Sequence, residues 1–378
     1  MRMINCFFQR SDRNRPNILL PALAVLLLLL NLCVYFDWNL YKTPIAEVSS
    51  VQIEHTEVVS GDLGIEERQY NQRLSCVVRN GKDKDKAVDI VNTYTDTHMD
   101  GTAYHRGDFL FVENITAGDD GTLRATISGQ KRDYFLSALL SLLLLGAVAV
   151  AGKRGFAFFF ALMVNLGVLV LGFFCFQTGL SFALLTAILI LLFPTLSLGI
   201  CIGWNRQMLV ALGDTLVSIG ILAAAYCLVL PLTPAVDYTL QDYIRNGTLQ
   251  LEVLFTCGIL LGSLGAIMDV AVSVTSGVAE ILEKEPEVSD ECLSKSVRQI
   301  GYDVMGTMIN VLFYTYLAGR IPIYLAQLAN GVRLDVLLRY YGVYEILRFL
   351  AGALGIVLCI PISGFLATHY YRKKAPAR

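Results

Sequence analysis

Three aspartates, Asp214, Asp269 and Asp303, stand inside stretches otherwise apolar enough to cross a bilayer. A charged side chain near the bilayer centre costs at least about 2.5–3.5 kcal/mol, so such residues face a protein interior, a partner or a water path. If each stretch crosses in turn, the alternating directions bring all three carboxylates to the same inner level. Three carboxylates at one depth suit the binding of protons or a cation. At the other end, Arg320, Glu345 and Arg348 form a second charged group, with Glu345 and Arg348 as i,i+3 neighbours on one helix face. Asn310 lies between the two levels, so a polar track from inner carboxylates to outer ion pair is one reading. Local readings stand beside it. Asp303 at a helix start would cap free amides, and Glu345 with Arg348 would neutralise each other at the interface.

The elements that must position these residues are apolar helices. Of 378 residues, 55% are hydrophobic and only 16% charged. That is too apolar for a water-soluble domain of this size. A bilayer core about 30 Å thick needs roughly 20 apolar residues per helix, because every backbone polar group must be satisfied within the segment. Eight stretches qualify: Asn17 to Phe36, Phe135 to Ala151, Phe156 to Phe176, Phe182 to Gly203, Met208 to Leu230, Glu252 to Ser273, Asp303 to Leu325 and Tyr344 to His369. The first is read as an anchor rather than a cleaved signal, because Val34-Tyr35-Phe36-Asp37-Trp38 offers no small-residue cleavage site.

Basic residues set the orientation. Arg2, Arg10, Arg13, Arg15, Lys153, Arg154, Arg206, Lys284, Lys295, Arg298, Arg372, Lys373, Lys374 and Arg378 fall on one side, while the short loops of the other side hold Arg245, Arg333 and Arg339. Both chain ends are therefore expected in the cytoplasm. The organisation expected is a cytoplasmic N-terminus and anchor over 1–36, an extracytoplasmic β-rich domain over 37–134, a seven-helix transmembrane region over 135–370 and a cytoplasmic tail over 371–378. The stretch from Ser276 to Tyr302 reads as the longest inner connection, with Ser289 capping a short helix that carries Leu293, Val297 and Ile300 on one side. A net charge of -2 gives nucleic acid no electrostatic footprint.

Between Asp37 and Tyr134 short apolar alternations take over, separated by turn residues. Leu74 to Val78 leads into Asn80-Gly81, a tight-turn pair; Ala87 to Val91, Phe109 to Val112 and Leu123 to Ile127 follow. Four or five short strands suggest a small β-barrel-like domain. His98, Asp100, His105 and Asp108 lie close in sequence but lack metal-ligand spacing, so no metal site is expected. Of nine cysteines, Cys76 alone lies outside the spans on the exterior side, which excludes a disulfide within that domain.

The run Gly265-Ala266-Ile267-Met268-Asp269-Val270-Ala271, then Glu280, then Gly301-Tyr302-Asp303-Val304-Met305-Gly306-Thr307-Met308-Ile309-Asn310, resembles the YibE/F family of bacterial multispan membrane proteins. The resemblance continues through Glu345, Arg348, Gly355 and Pro361, and Gly107-Asp108 with Arg132 resemble the family's outside domain and its exit into the next span. After the fourth span Asn205 is followed by Arg206-Gln207, where the family usually shows a spacer and Lys-Thr. The resemblance implies a bacterial plasma-membrane protein, with a second YibE/F-type subunit or another copy of the chain as partner alongside the lipid bilayer.

The function expected is ion- or proton-coupled transport or export, with Asp214, Asp269, Asp303 and Asn310 as the pathway. The alternative is a non-transporting assembly or scaffold protein that binds a partner through its outer domain. No Gly-x-x-x-x-Gly-Lys, His-Glu-x-x-His or Gly-x-Ser-x-Gly is present, so neither an enzyme nor a cofactor is expected.

Overall fold

The computed structural model describes residues 19–60, 66–98, 101–117, 122–229 and 251–372. Arg2, Arg10, Arg13, Arg15, Asp100, Arg245, Lys373, Lys374 and Arg378 lie outside the described residues. The chain divides into two compact units, Met1–Gly155 and Phe156–Arg378.

In the first unit, helix α1 (Leu19–Tyr35) leads into a small sheet domain, and α2 (Asp133–Ala151) follows it. The strands are β1 (Ile45–Ser60), β2 (Glu66–Val78), β3 (Ala87–Thr95), β4 (Phe109–Ala117) and β5 (Leu123–Gln130). Each strand segment expected from alternation falls on β2, β3, β4 or β5. The long first strand is not among them, because beyond Val51 it runs out with β2 as a two-stranded ribbon whose Ile53 and Val58 are exposed. Antiparallel ladders join β1 to β2 and β4, β2 to β3, and β4 to β5. Between β3 and β5 there is only a short parallel seam, Val88 with Leu123 and Asp89 with Arg124. Through this short seam the order β1-β2-β3-β5-β4 returns to β1, and the five described strands make one small sheet domain. Its core alternates as a half-buried strand should: Leu74, Cys76 and Val78 point inward together with Ala46, Val48, Ile90, Leu110 and Val112.

Asn80-Gly81 does not make a tight two-residue turn. Residues 79–86 form a longer loop, and the Asn80 side chain instead turns inward. Its Oδ1 accepts from the Ile45 amide at 2.6 Å, and its Nδ2 donates to the carbonyls of Trp38, Tyr41 and Thr43 at 2.8–3.2 Å. Gly81 takes a left-handed φ of 83°. Glycine adopts that conformation at little cost, which lets the chain leave this knot. Asn80→Ala strands a buried amide and is expected to cost about 1–3 kcal/mol, read as earlier proteolysis of the sheet domain on heating.

Burial also pushes the Cys76 thiol up from its ordinary 9 to about 12. Folding therefore holds the protonated thiol, a contribution present below about pH 9 and lost as pH rises toward 12. A maleimide at pH 8 is expected to leave Cys76 unmodified until the domain is unfolded, since the thiolate is the nucleophile. Rapid alkylation of the folded protein at Cys76 would contradict this burial.

Lys131 is the fixed point of the first unit. Its ammonium is fully buried, 2.9 Å from Asp37 and 2.8 Å from Asp133, and donates to the Val34 carbonyl at 2.8 Å. The rings of Tyr41 and Tyr134 flank it. Tyr41 donates to the Asp133 carboxylate at 2.5 Å, and that contact raises the phenol above its ordinary range.

The helical succession continues with α3 (Lys153–Gln177), and the second unit contains α4 (Phe182–Cys201), α5 (Arg206–Val229), α6 (Leu251–Lys284), α7 (Asp290–Ala329) and α8 (Leu334–Arg372). Apart from an end residue or two, the described parts of all eight expected stretches lie on helices. Among the described residues six helices, α2 to α6 and α8, are long and apolar enough to cross a membrane; α1 is shorter. In α7, Asn310, the tyrosines and Arg320 interrupt the apolar run.

The expected inner connection from Ser276 to Tyr302 is mostly helix. Ser289 does cap, accepting from the Cys292 amide at 3.3 Å, but the helix it starts runs on to Ala329. Buried Val278 extends the apolar stripe of α6, and buried Leu293 and Val297 begin that of α7, which carries both helices past the apolar run into their charged ends. Asp303 therefore sits well inside α7 and does not cap a helix start.

Candidate functional site

The core of the second unit is the seam of α5, α6, α7 and α8, lined by Ile219, Leu222, Ile267, Val270, Val274 and Ile356 among others. Glycines on α8 set its closeness. A Cβ at Gly355 would lie 2.7 Å from Ile267 Cδ1 and 2.9 Å from Leu222 Cδ2.

Within this apolar seam runs a short polar strip. Asp214 on α5 is 1% exposed, and its Oδ2 accepts from Thr275 Oγ1 of α6 at 2.7 Å. Thr275 is its hydrogen-bond partner, and Asp214 has no ion pair among the described residues. Thr215 turns back to the Ala211 carbonyl at 2.8 Å, and Ser218 is buried one turn further along α5. On α8, Cys359 lies 3.4 Å from the Ser363 hydroxyl and 3.6 Å from the Ile267 carbonyl. A cavity of about 740 Å³ borders Asp214 and is lined also by Gly213, Val217, Leu366, His369 and Tyr370. A buried carboxylate with one neutral donor has its charge uncompensated, so a proton or small cation is what the place would hold.

The other carboxylates are placed differently. Gly277 lies against Ile300 and Gly262 against Tyr316, an antiparallel register that sets Asp303 level with Val274 and Thr275 and Asp269 level with Met308 and Ile309. Asp303 thus shares the depth of Asp214 but not its surroundings. It is exposed on α7 and accepts from Gln299 at 3.1 Å. Asp269 is exposed on α6, and Asn310, also exposed, donates to the Gly306 carbonyl at 2.8 Å. None of Asp214, Asp269 and Asp303 hydrogen-bonds to another.

The second charged group does assemble. Glu345 receives Arg320 Nε at 2.8 Å from α7 and Arg348 Nη1 at 3.6 Å from its own helix. The Arg348 guanidinium also lies over the Tyr316 and Tyr344 rings, 5.8 and 5.2 Å from their centroids. Gly258 and Gly262 make room for this packing, since a Cβ at Gly258 would lie 3.5 Å from Arg348 Nη2 and Gly262 abuts the Tyr316 hydroxyl. Glu345 and Arg348 do neutralise each other, with Arg320 of α7 as the third member.

Sequence reasoning misses Thr275 and His369. Thr275 lies among the apolar residues of α6 with nothing to mark it. His369 has a signal, a histidine at the end of an apolar run, though not its position beside Asp214. Among the described residues no three His, Cys, Asp or Glu side chains gather as metal ligands would. His105 donates its amide to Asp108 at 2.8 Å, and His98 stacks on Tyr94.

Six bilayer-length apolar helices, with a buried acid in the seam of three of them, define a multi-pass membrane protein. A profile described as YibE/F-like protein matches residues 139–373, and one described as YibE/F family N-terminal domain matches residues 39–130. The chain belongs to the YibE/F family. Comparison with the curated proteins and with the solved structures finds no match.

Proposed function

We propose that the protein is a proton- or cation-coupled transporter or exporter of the bacterial plasma membrane, with Asp214 as the group that takes up the coupling ion. The observation that carries this reading is the isolation of Asp214 in the α5–α6–α8 seam, with Thr275 as donor, no ion pair among the described residues and a cavity beside it. His369 lines the same cavity and is itself exposed, which makes it the group through which a proton would enter. In this reading both chain ends are cytoplasmic, as the basic residues favour, and the sheet domain outside shapes the exit or meets a partner. It includes no catalytic step and no cofactor.

The test is a pH jump across sealed liposomes holding the purified full chain, with internal pH recorded in the presence and absence of metal cations. Flux above that of protein-free vesicles supports the reading. Vesicles that stay tight under every ion tested sink it.

A second reading has its own observation. Asp269, Asp303 and Asn310 are exposed on α6 and α7, and a lone chain would present them to lipid. A second copy, or a second YibE/F-type subunit, covering that side would hide them, as a scaffold or a paired permease requires.

A further inference from the structure

Between the first half of α7 and the last half of α8 lies a groove of about 1060 Å³, apart from the Asp214 cavity except for their shared His369. Along most of its length the walls are apolar, with Val297 and Met305 from α7 facing Val357, Ile360 and Phe365 from α8. Phe365 is 71% exposed and Tyr302 is 53% exposed. Exposed rings are common on these helices, and these two line the groove, open to whatever occupies it. The polar lining gathers toward one end: Asp290 and Arg372 stand at it, His369 lies about a turn in along α8, and Arg298 about two turns in along α7.

Length and charge both bear on what fits. From Val357 to Arg372 the helix rises roughly 22 Å, about half the ~40–45 Å of a bilayer with its headgroups, so the groove is one leaflet long. Asp290 is already engaged by Arg372 Nη1 at 2.8 Å, and Arg372 Nη2 donates to the Val288 carbonyl at 2.7 Å. That leaves Arg372 Nε buried without a hydrogen-bond partner and Arg298 exposed with no ion pair among the described residues. The half of the groove from Arg298 to Arg372 therefore carries two guanidiniums against one carboxylate before His369 is counted. Gly364 keeps the groove floor close, since a Cβ there would lie 2.6 Å from Val297 Cγ1.

We infer that this groove holds one anionic phospholipid of the bilayer, its acyl chains along Val297, Met305, Ile360 and Phe365 and its phosphate at Arg298 and Arg372. The apolar length alone would accept any lipid; the unpaired guanidinium selects a negative headgroup. Lipid binding here depends on the membrane-spanning fold and not on transport, so a protein that moves no ion would still bind the lipid.

The experiment is native mass spectrometry of the delipidated full chain, titrated with phosphatidylglycerol or with phosphatidylcholine of the same acyl chains. Wild type is expected to retain phosphatidylglycerol preferentially, and Arg298→Gln to lower that preference about fivefold, the usual worth of one basic residue near an anionic surface. Lys295→Gln serves as control, because Lys295 is exposed, pairs with Glu291 and does not line the groove. Met305→Trp fills the apolar section and is expected to reduce retention of both lipids. Equal retention of the two lipids by wild type, or the same loss in Lys295→Gln as in Arg298→Gln, overturns the assignment.

Discussion

Lys131→Ala is expected to destabilise the first unit by about 3–5 kcal/mol, the cost of removing one partner from a buried ion pair. Lys131 is fully buried between Asp37 and Asp133, and it caps the Val34 carbonyl at the end of α1. Without it, two carboxylates remain close together with no cation, and the charge that favours their approach becomes repulsion. Lys131→Arg keeps the charge but must fit a larger planar group into a fully buried site, so it should recover only part of the loss. Limited proteolysis of the sheet domain against temperature reads both. Unchanged protection in Lys131→Ala would show that the triad contributes little to holding α1 and α2 to the sheet.

Asp214→Asn is expected to leave the fold intact and remove ion flux. Asparagine is nearly isosteric, and its carbonyl still accepts from Thr275, so the α5–α6 contact survives. What it cannot do is take up and release a proton. Thr275→Val is the companion change. It removes the hydroxyl donor from a buried carboxylate, at a cost of about 1–3 kcal/mol, while keeping a carboxylate in place. Flux should persist there with an altered pH profile, because the donor that supports the ionised form is gone. A Thr275→Val variant as inactive as Asp214→Asn, yet folded, would make the hydrogen bond rather than the carboxyl group the essential feature.

The helices are legible in the sequence because each apolar run is long enough to be unambiguous, and four of the five strands because their alternation matches the buried face. The extent of α6 and α7 is not. Pro286 and the charges around it read as a loop, but apolar residues at helical spacing, Val278, Leu293 and Val297, continue burial on either side of it. Depth is legible for Asp214 and Asp303, since both follow from counting along a span. Which way a residue points around its helix depends on the neighbours of that helix, and so counting along the span does not show that Asp269 is exposed on α6. Lys131 has no signal at all, being one basic residue in a run of polar ones. Its partners Asp37 and Asp133 flank the whole sheet domain, and the fold alone brings them together.

The most direct test of Asp214 as the coupling group compares proton flux through wild type, Asp214→Asn and Asp269→Asn in the same sealed liposomes, at equal protein content and with folding verified by circular dichroism. Asp214→Asn is expected to fall to the leak of empty vesicles while Asp269→Asn, exposed and outside the seam, keeps wild-type flux. Full flux through Asp214→Asn, or collapse in Asp269→Asn alone, would contradict this and move the pathway to the uncovered side of α6 and α7.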